Sequence, residues 1–270
     1  MASTNTEDNG HVTYPRPLIF EGPCPKPEDV RFSVEVDEAT VQAVERQTRG
    51  QRENPDWLAW CRYRIDDSMA HIISHSYFAN GRHNEPPEDY VQRILGEGPN
   101  LDNIPAIKWG LEYKAQAVQN YQELKSASLR HPVKVQPCGL FINPRRVWLA
   151  ASPDGIVEDE QTGERLLCLV KCPYKHRENT LRVACLDKDF CLELQGQKYR
   201  LKTKHRYYTQ VHCQMAVTGI HMADLEVFTL HEAVFVPVTF DPQFWKDTVA
   251  KLEIFYRGIL PRLPLHIHNA

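Results

Sequence analysis

A chain of 270 residues with 42% hydrophobic and 25% charged side chains has room for one large domain or two small ones around an ordinary buried core. The net charge of −3 excludes a globally basic nucleic-acid binder, so any contact with a polyanion has to come from a local surface. No apolar run reaches the ~18 residues of a membrane span, the N-terminus is not signal-like, and eight cysteines without CxxC pairs predict reduced thiols in an intracellular protein, nuclear or cytoplasmic.

Residues 1–28 lack periodicity and carry five prolines between Pro15 and Pro27, which predicts a flexible arm. A domain spanning 29–262 follows, and 263–270 form a tail in which His266 and His268 read as a frayed end rather than a metal site. Val41 and Val44 fall on one side of a helix expected within 36–49. Trp57 reads as core, and Ser68 is placed to cap a helix at 69–76. A hydrophilic bridge at 83–103 encloses a short helix at 90–95. Beyond Pro105, Ile107, Leu111, Ala115 and Val118 recur at helical spacing.

Short strands are expected at 133–135, 141–142 and 148–150, with Arg145-Arg146 as a basic turn. Residues 151–174 read as a β-hairpin. Alternation along its second strand puts Leu167, Leu169 and Lys171 on one face and Leu166, Cys168 and Val170 on the other. Both faces are apolar up to Lys171, as in a strand covered on two sides. A lysine there is costly to bury without a carboxylate, and Asp154 across the hairpin is the expected partner. Cys168 and Cys172 lie on a strand without a second pair, which argues against zinc.

Lys198, Arg200, Lys202, Lys204 and Arg206 form the densest basic patch, and on a hairpin their spacing would line one face. Lys202 and Lys204 are therefore candidate DNA contacts, against the alternative of a solvated face. In the expected helix at 207–219, Val211 and Met215 are spaced for the core, Gln210 and Gln214 share another strip, and Gly219 suits the C-cap. Strands at 223–229 and 233–240 lead to a last helix at 242–260, burying Trp245, Val249, Leu252, Tyr256 and Ile259. The chain holds no G-x-S-x-G elbow, no phosphate-binding G-x-x-x-x-G-K-[ST] loop and no H-E-x-x-H helix.

Three linked stretches carry a family resemblance. Ser152-Pro153-Asp154-Gly155 with Val170-Lys171-Cys172-Pro173 resembles an S-P-D-G…E-x-K-C-P pattern. Trp109-Gly110 opening a helix resembles W-G-x-x-x-E, and Tyr207-Tyr208-Thr209-Gln210-Val211 through Gln214-Met215 resembles Y-Y-x-Q-V-x-x-Q-M. These are signatures of the phage-type alkaline exonucleases, the lambda exonuclease and YqaJ viral recombinase group of PD-(D/E)xK nucleases, and the likeness runs over roughly 44–261. It implies an α/β fold with a restriction-endonuclease-like core, a central mixed β-sheet flanked by helices. Linear duplex DNA ends are the implied partner, and Mg²⁺ or Mn²⁺ the cofactor of an active member. It further implies metal held by Asp154 and the Val170 main-chain carbonyl, a catalytic role for Lys171 and Gln210, and a grip on the 5′-phosphate by Ser68 and Arg62.

The departures from the pattern are as informative as the matches. Leu169 stands where the family has its metal-binding glutamate, Lys114 replaces the glutamate of the helix, and Asp66-Asp67 replaces Thr-Ala. The strict arginine position falls on Cys61, beside Arg62. A leucine cannot ligate a hard cation. One expectation is a domain impaired in cleavage and retained for DNA-end or protein binding, with the Lys114 ammonium paired to Asp154. The alternative is an active exonuclease in which Glu112 or Glu193 acts as a migrated carboxylate. Oligomeric state and protein partners are left open by the sequence.

Overall fold

The computed structural model describes residues 24–263. The expected arm up to residue 23 and the tail with His266 and His268 lie outside them. In chain order the elements are α1 (Pro27–Val30), α2 (Glu38–Gln47), α3 (Pro55–Cys61), β1 (Ile65–Asp66), α4 (Ala70–Ser74), α5 (Glu88–Leu95) and α6 (Pro105–Leu129). Then come β2 (Val135–Gln136), β3 (Phe141–Asn143), β4 (Arg146–Ala151), β5 (Gly155–Glu158), β6 (Arg165–Lys171) and α7 (Leu181–Ala184). The chain continues with β7 (Leu192–Gln195), β8 (Lys198–Leu201), α8 (Arg206–Thr218), β9 (Met222–Phe228), β10 (Ala233–Thr239) and α9 (Pro242–Ile259).

The apolar alternation of β6 makes it the middle of a five-stranded mixed sheet, ordered β10-β9-β6-β5-β2. β5 and β6 form the antiparallel hairpin, with Gly155 opposite Cys168. β9 runs parallel to β6, with Leu169 beside Leu225. Leu167 and Leu169 pack on one face with Val211 and Met215 of α8. Cys168 and Val170 pack on the other with Ala117 and Tyr121 of α6. The two-faced burial expected from the sequence is what is observed. α8 is itself packed on a second side, where Cys213 and Val217 join Leu252, Phe255 and Ile259 of α9. A smaller sheet is ordered β1-β4-β3. The central mixed sheet between helical layers is the expected PD-(D/E)xK-type architecture.

Gly155 is required by close approach. A Cβ there would lie 2.2 Å from Val135 Cγ1 and 2.9 Å from Gln136 O, so edge strand β2 could not reach β5. Gly219 ends α8 at φ +73°, as a C-cap glycine should.

The fully buried positions of α6 are not its periodic apolar residues. Leu111 is 50% exposed and Ala115 is exposed, while Ala117 and Tyr121 are the buried positions. The reason is polar. Tyr121 Oη donates to Asp224 Oδ2 (2.8 Å), and the Lys125 ammonium reaches the same oxygen (2.8 Å), so the helix is rolled to satisfy a buried β9 carboxylate. Ile107 and Leu111 instead line an open cavity. In α9 the expected stripe is buried except for the partly covered Trp245, and Phe255 joins it.

β9 also carries Glu226, the register partner of Val170, which therefore points toward α6. It is fully buried, and neither carboxylate oxygen has a hydrogen-bond partner. Burial alone pushes its carboxyl up to about 8.

The basic stripe is broken. β8 ends at Leu201, so only Lys198 and Arg200 share an exposed strand face. The Lys202 ammonium folds back onto the carbonyls of Asp187 (3.3 Å) and Lys188 (2.9 Å). Lys204 lies in the exposed turn beyond it, and Arg206 already belongs to α8. A loop that needed a cation for its carbonyls captured Lys202, a demand that strand alternation could not anticipate.

Candidate active site

The ends of β5 and β6, the first turns of α6 and α8 and the turn after β1 converge on a cavity of about 380 Å³. Its floor is Asp154, Val170, Lys171 and Cys172. One wall is α6, through Ile107, Gly110, Leu111 and Lys114. The opposite wall is Asp66, Asp67, Ser68, Tyr207 and Gln210, and Gln51, Arg52, Trp57 and Ser152 close the rim.

Asp154 is positioned at the turn into β5, where its Oδ2 accepts from Val170 N–H (2.8 Å). Its Oδ1 lies 2.6 Å from the Lys114 ammonium. Burial pulls Lys114 down, but the Asp154 charge and hydrogen bond outweigh it and leave the group above its ordinary value. Leu169 is fully buried in the core beneath α8 and is not part of the cavity lining. Lys114 and Leu169 therefore both have stable local uses, one as counter-ion and one as core.

Lys171 does not pair with Asp154, the partner expected across the hairpin. The strand's alternation turns it to the α8 side, where its ammonium donates to Gln210 Oε1 (2.9 Å) and sits 4.7 Å from the Tyr207 ring centre. Gln210 Nε2 donates in turn to Asp67 Oδ2 (2.7 Å), as does Gln214 Nε2 (2.8 Å), and Ser152 N–H donates to Asp67 Oδ1 (3.0 Å). Burial and the neighbouring Asp66 push the Asp67 carboxyl up to about 6, against the pull of these donors.

Ser68 lines the cavity, but its hydroxyl donates to Asp66 Oδ1 (2.6 Å), which also accepts Met69 N–H (3.0 Å). Asp66 thus organises the turn into α4, and Ser68 does not cap the helix. Arg62 is exposed, lies against Gly96 and stays outside the cavity lining. Arg52 occupies the rim instead, ion-paired to Asp102. Trp57 is partly buried against the core cluster around the fully buried Trp60 and also reaches the rim, where its indole N–H donates to Ser152 Oγ (2.8 Å). Lys202 and Lys204 are not brought to this cavity.

Glu112 is exposed on α6, and Glu193 sits on β7 opposite Arg200, in a separate two-stranded sheet. Neither lines the cavity, so neither supplies the missing ligand. Cys172 does line it, but burial, then Glu226 and Asp154, push its thiol up to about 12, which leaves it a poor nucleophile and a poor metal ligand. No group of three or more His, Cys, Asp or Glu side chains suited to a metal ion occurs among the described residues.

Sequence reasoning missed Gln51. Its backbone adopts φ +48°, and its amide donates to Cys138 O (3.0 Å) and Pro153 O (2.7 Å), tying the rim to the residue before Asp154. No local pattern announces that bond. Asp67 was noticed only as a charge, although the i, i+4 pair Gln210 and Gln214 signalled a shared acceptor.

The model of the YqaJ-like viral recombinase domain matches residues 57–221, more than half of the chain and every residue lining this cavity except Gln51 and Arg52. The chain belongs to that family. The YqaJ domain here is similar in fold to an alkaline exonuclease, LHK-Exo, from Laribacter hongkongensis, with 19% identity, 76% of this chain and 92% of that chain covered, and a TM-score of 0.53. It is also similar to SOX in a SOX-DNA complex, with 12% identity, 87% and 72% covered, and a TM-score of 0.51. No curated protein matches the YqaJ domain in sequence. Asp154, Lys171, Gln210 and Lys114 all line this one cavity.

Proposed function

We propose that this exonuclease-like domain binds nucleic acid at the Lys171 side of the cavity and is impaired in metal-dependent hydrolysis. The observation that carries the reading is the Lys114 ammonium 2.6 Å from Asp154 Oδ1, where a divalent ion would need negative oxygen ligands. The residues present do not fit Mg²⁺ or Mn²⁺. Asp154 has spent one oxygen on Lys114 and the other on Val170 N–H, and Leu169 offers no donor. Hydrolysis of this class depends on a metal to stabilise transition-state charge, so loss of the ligand set is costly to rate.

Binding is a separate matter. Lys171 has no ion pair with a carboxylate among the described residues and is held only by an amide oxygen and a ring face, which leaves its charge to an incoming phosphodiester. The DNA complex formed by SOX, a neighbour in fold, supports a nucleic-acid partner. The test is a digestion assay on linear duplex with Mg²⁺ and with Mn²⁺, run beside a binding assay on the same DNA. Binding without degradation is expected. Degradation that Asp154→Ala abolishes would refute the reading.

A further inference from the structure

The cavity wall contains a hydrogen-bond chain whose direction is set at one end. Asp67 is 5% exposed, and its ionised carboxylate can only accept. Both glutamine amides beside it must therefore present their NH₂ groups, Gln210 at 2.7 Å and Gln214 at 2.8 Å. Gln214 complies at a visible cost: its own Oε1 is buried without a partner. Gln210 complies by turning its carbonyl outward, and that carbonyl is the acceptor of the Lys171 ammonium, the one hydrogen-bond acceptor Lys171 has among the described residues.

We propose that Asp67 is the positioning residue that sets the polarity of the Gln210 amide, and thereby decides whether Lys171 is tethered to the wall or released to an anion in the cavity. With a neutral donor-bearing group at 67, the glutamine turns its carbonyl inward and its NH₂ toward Lys171. Two sets of donors then face each other, and the tether is lost. Asparagine is the apt probe. Its oxygen keeps Ser152 N–H, and its amide supplies two hydrogens, one for each glutamine carbonyl, including the Gln214 oxygen that now lacks a partner.

Protonation loosens the same hold, because a neutral carboxyl has one hydrogen to donate and no longer requires both glutamines to present their NH₂ groups. Burial and Asp66 hold the Asp67 carboxyl up at about 6, so it is ionised at neutral pH and neutral in mild acid. The groups facing Asp67 are Asp66 at the end of β1, the Ser152 amide just beyond β4, Gln210, Gln214 and the buried Cys213 thiol from α8, and Lys171 from β6 through Gln210. Cys213 is pushed upward by burial and stays a neutral thiol across this range.

The effect on binding rests on the anion-binding reading of the cavity, whereas the amide polarity does not. The test uses the isotope-labelled full chain, with the Gln210 side-chain signals assigned from Gln210→Leu. At neutral pH a Gln210 amide proton should carry the shift of a carboxylate partner, fading on mild acidification and absent in Asp67→Asn at every pH. Anisotropy of a labelled linear duplex should show Asp67→Asn binding about fivefold tighter than the native protein at neutral pH, the worth of one released hydrogen bond. That ratio should close toward unity in mild acid. A Gln210 signature that survives Asp67→Asn, or that does not move with pH in the native protein, overturns the proposal. The native titration needs no substitution and serves if Asp67→Asn does not fold. Native-like duplex binding by Lys171→Ala would defeat the anion-binding reading alone, since the amide signature is read without DNA.

Discussion

Glu226→Gln removes an ionisable group from the sheet face under α6 while keeping its shape. Glu226 is fully buried with both oxygens unpartnered, and burial raises its carboxyl from 4.5 to about 8. The folded chain therefore holds a proton that the unfolded chain releases. The cost to stability is absent below 4.5, grows between 4.5 and 8, and is fully present above that window. Each pH unit in the window costs about 1.4 kcal/mol, so the group destabilises the fold by on the order of 3 kcal/mol at neutral pH. Asp224, its neighbour on the strand face, is already held by Tyr121 and Lys125 and stays common to both proteins. Urea unfolding across this pH range should find the two proteins nearly equal at the acid end and the glutamine variant progressively more stable toward neutrality. A stability gap that stays constant with pH would refute the reasoning.

Two smaller perturbations test the frame around the cavity. Gly155→Ala should cost about 2 kcal/mol, because the new Cβ meets Val135 Cγ1 at 2.2 Å and edge strand β2 must give way; chemical denaturation measures it. Lys114→Met should lower stability by about 1 kcal/mol, a modest value because the lysine side chain is 38% exposed and solvent screens the pair. Thermal melts should show that added Mn²⁺ does not recover this loss while Leu169 stays in the core.

Elements whose burial follows simple periodicity were legible in the sequence. The two-faced β6, the core positions of α8 and most of α9 come directly from apolar spacing, and the pairing of Lys114 with Asp154 follows from the family resemblance, which puts a lysine at a ligand position, together with the carboxylate's need for a counter-charge. The failures share a different cause. α6 was legible as a helix, but its fully buried positions were not, because Asp224, far along the chain, demanded Tyr121 and Lys125. Lys171 was assigned to Asp154 because nothing local reveals that Gln210 faces it with a carbonyl. Lys202 was counted as a free surface cation although two loop carbonyls hold it. Polar satisfaction over long sequence distances decided each case, and periodicity is blind to it.

The Gln51 amide joins residues more than eighty positions apart, bridging the rim to Cys138 O and Pro153 O. Trp57 donates to the Ser152 side chain and Asp67 accepts the Ser152 backbone N–H over comparable sequence distances. No short stretch of chain therefore owns the cavity, and it assembles only when distant segments fold as one cooperative unit. A consequence is that the Trp57 indole, anchored to Ser152, is an internal reporter of that assembly: its fluorescence should change in step with global unfolding rather than ahead of it. Fragments ending before α8 would lack Gln210 and with it the wall that holds Lys171, so limited proteolysis should abolish cavity and fold together.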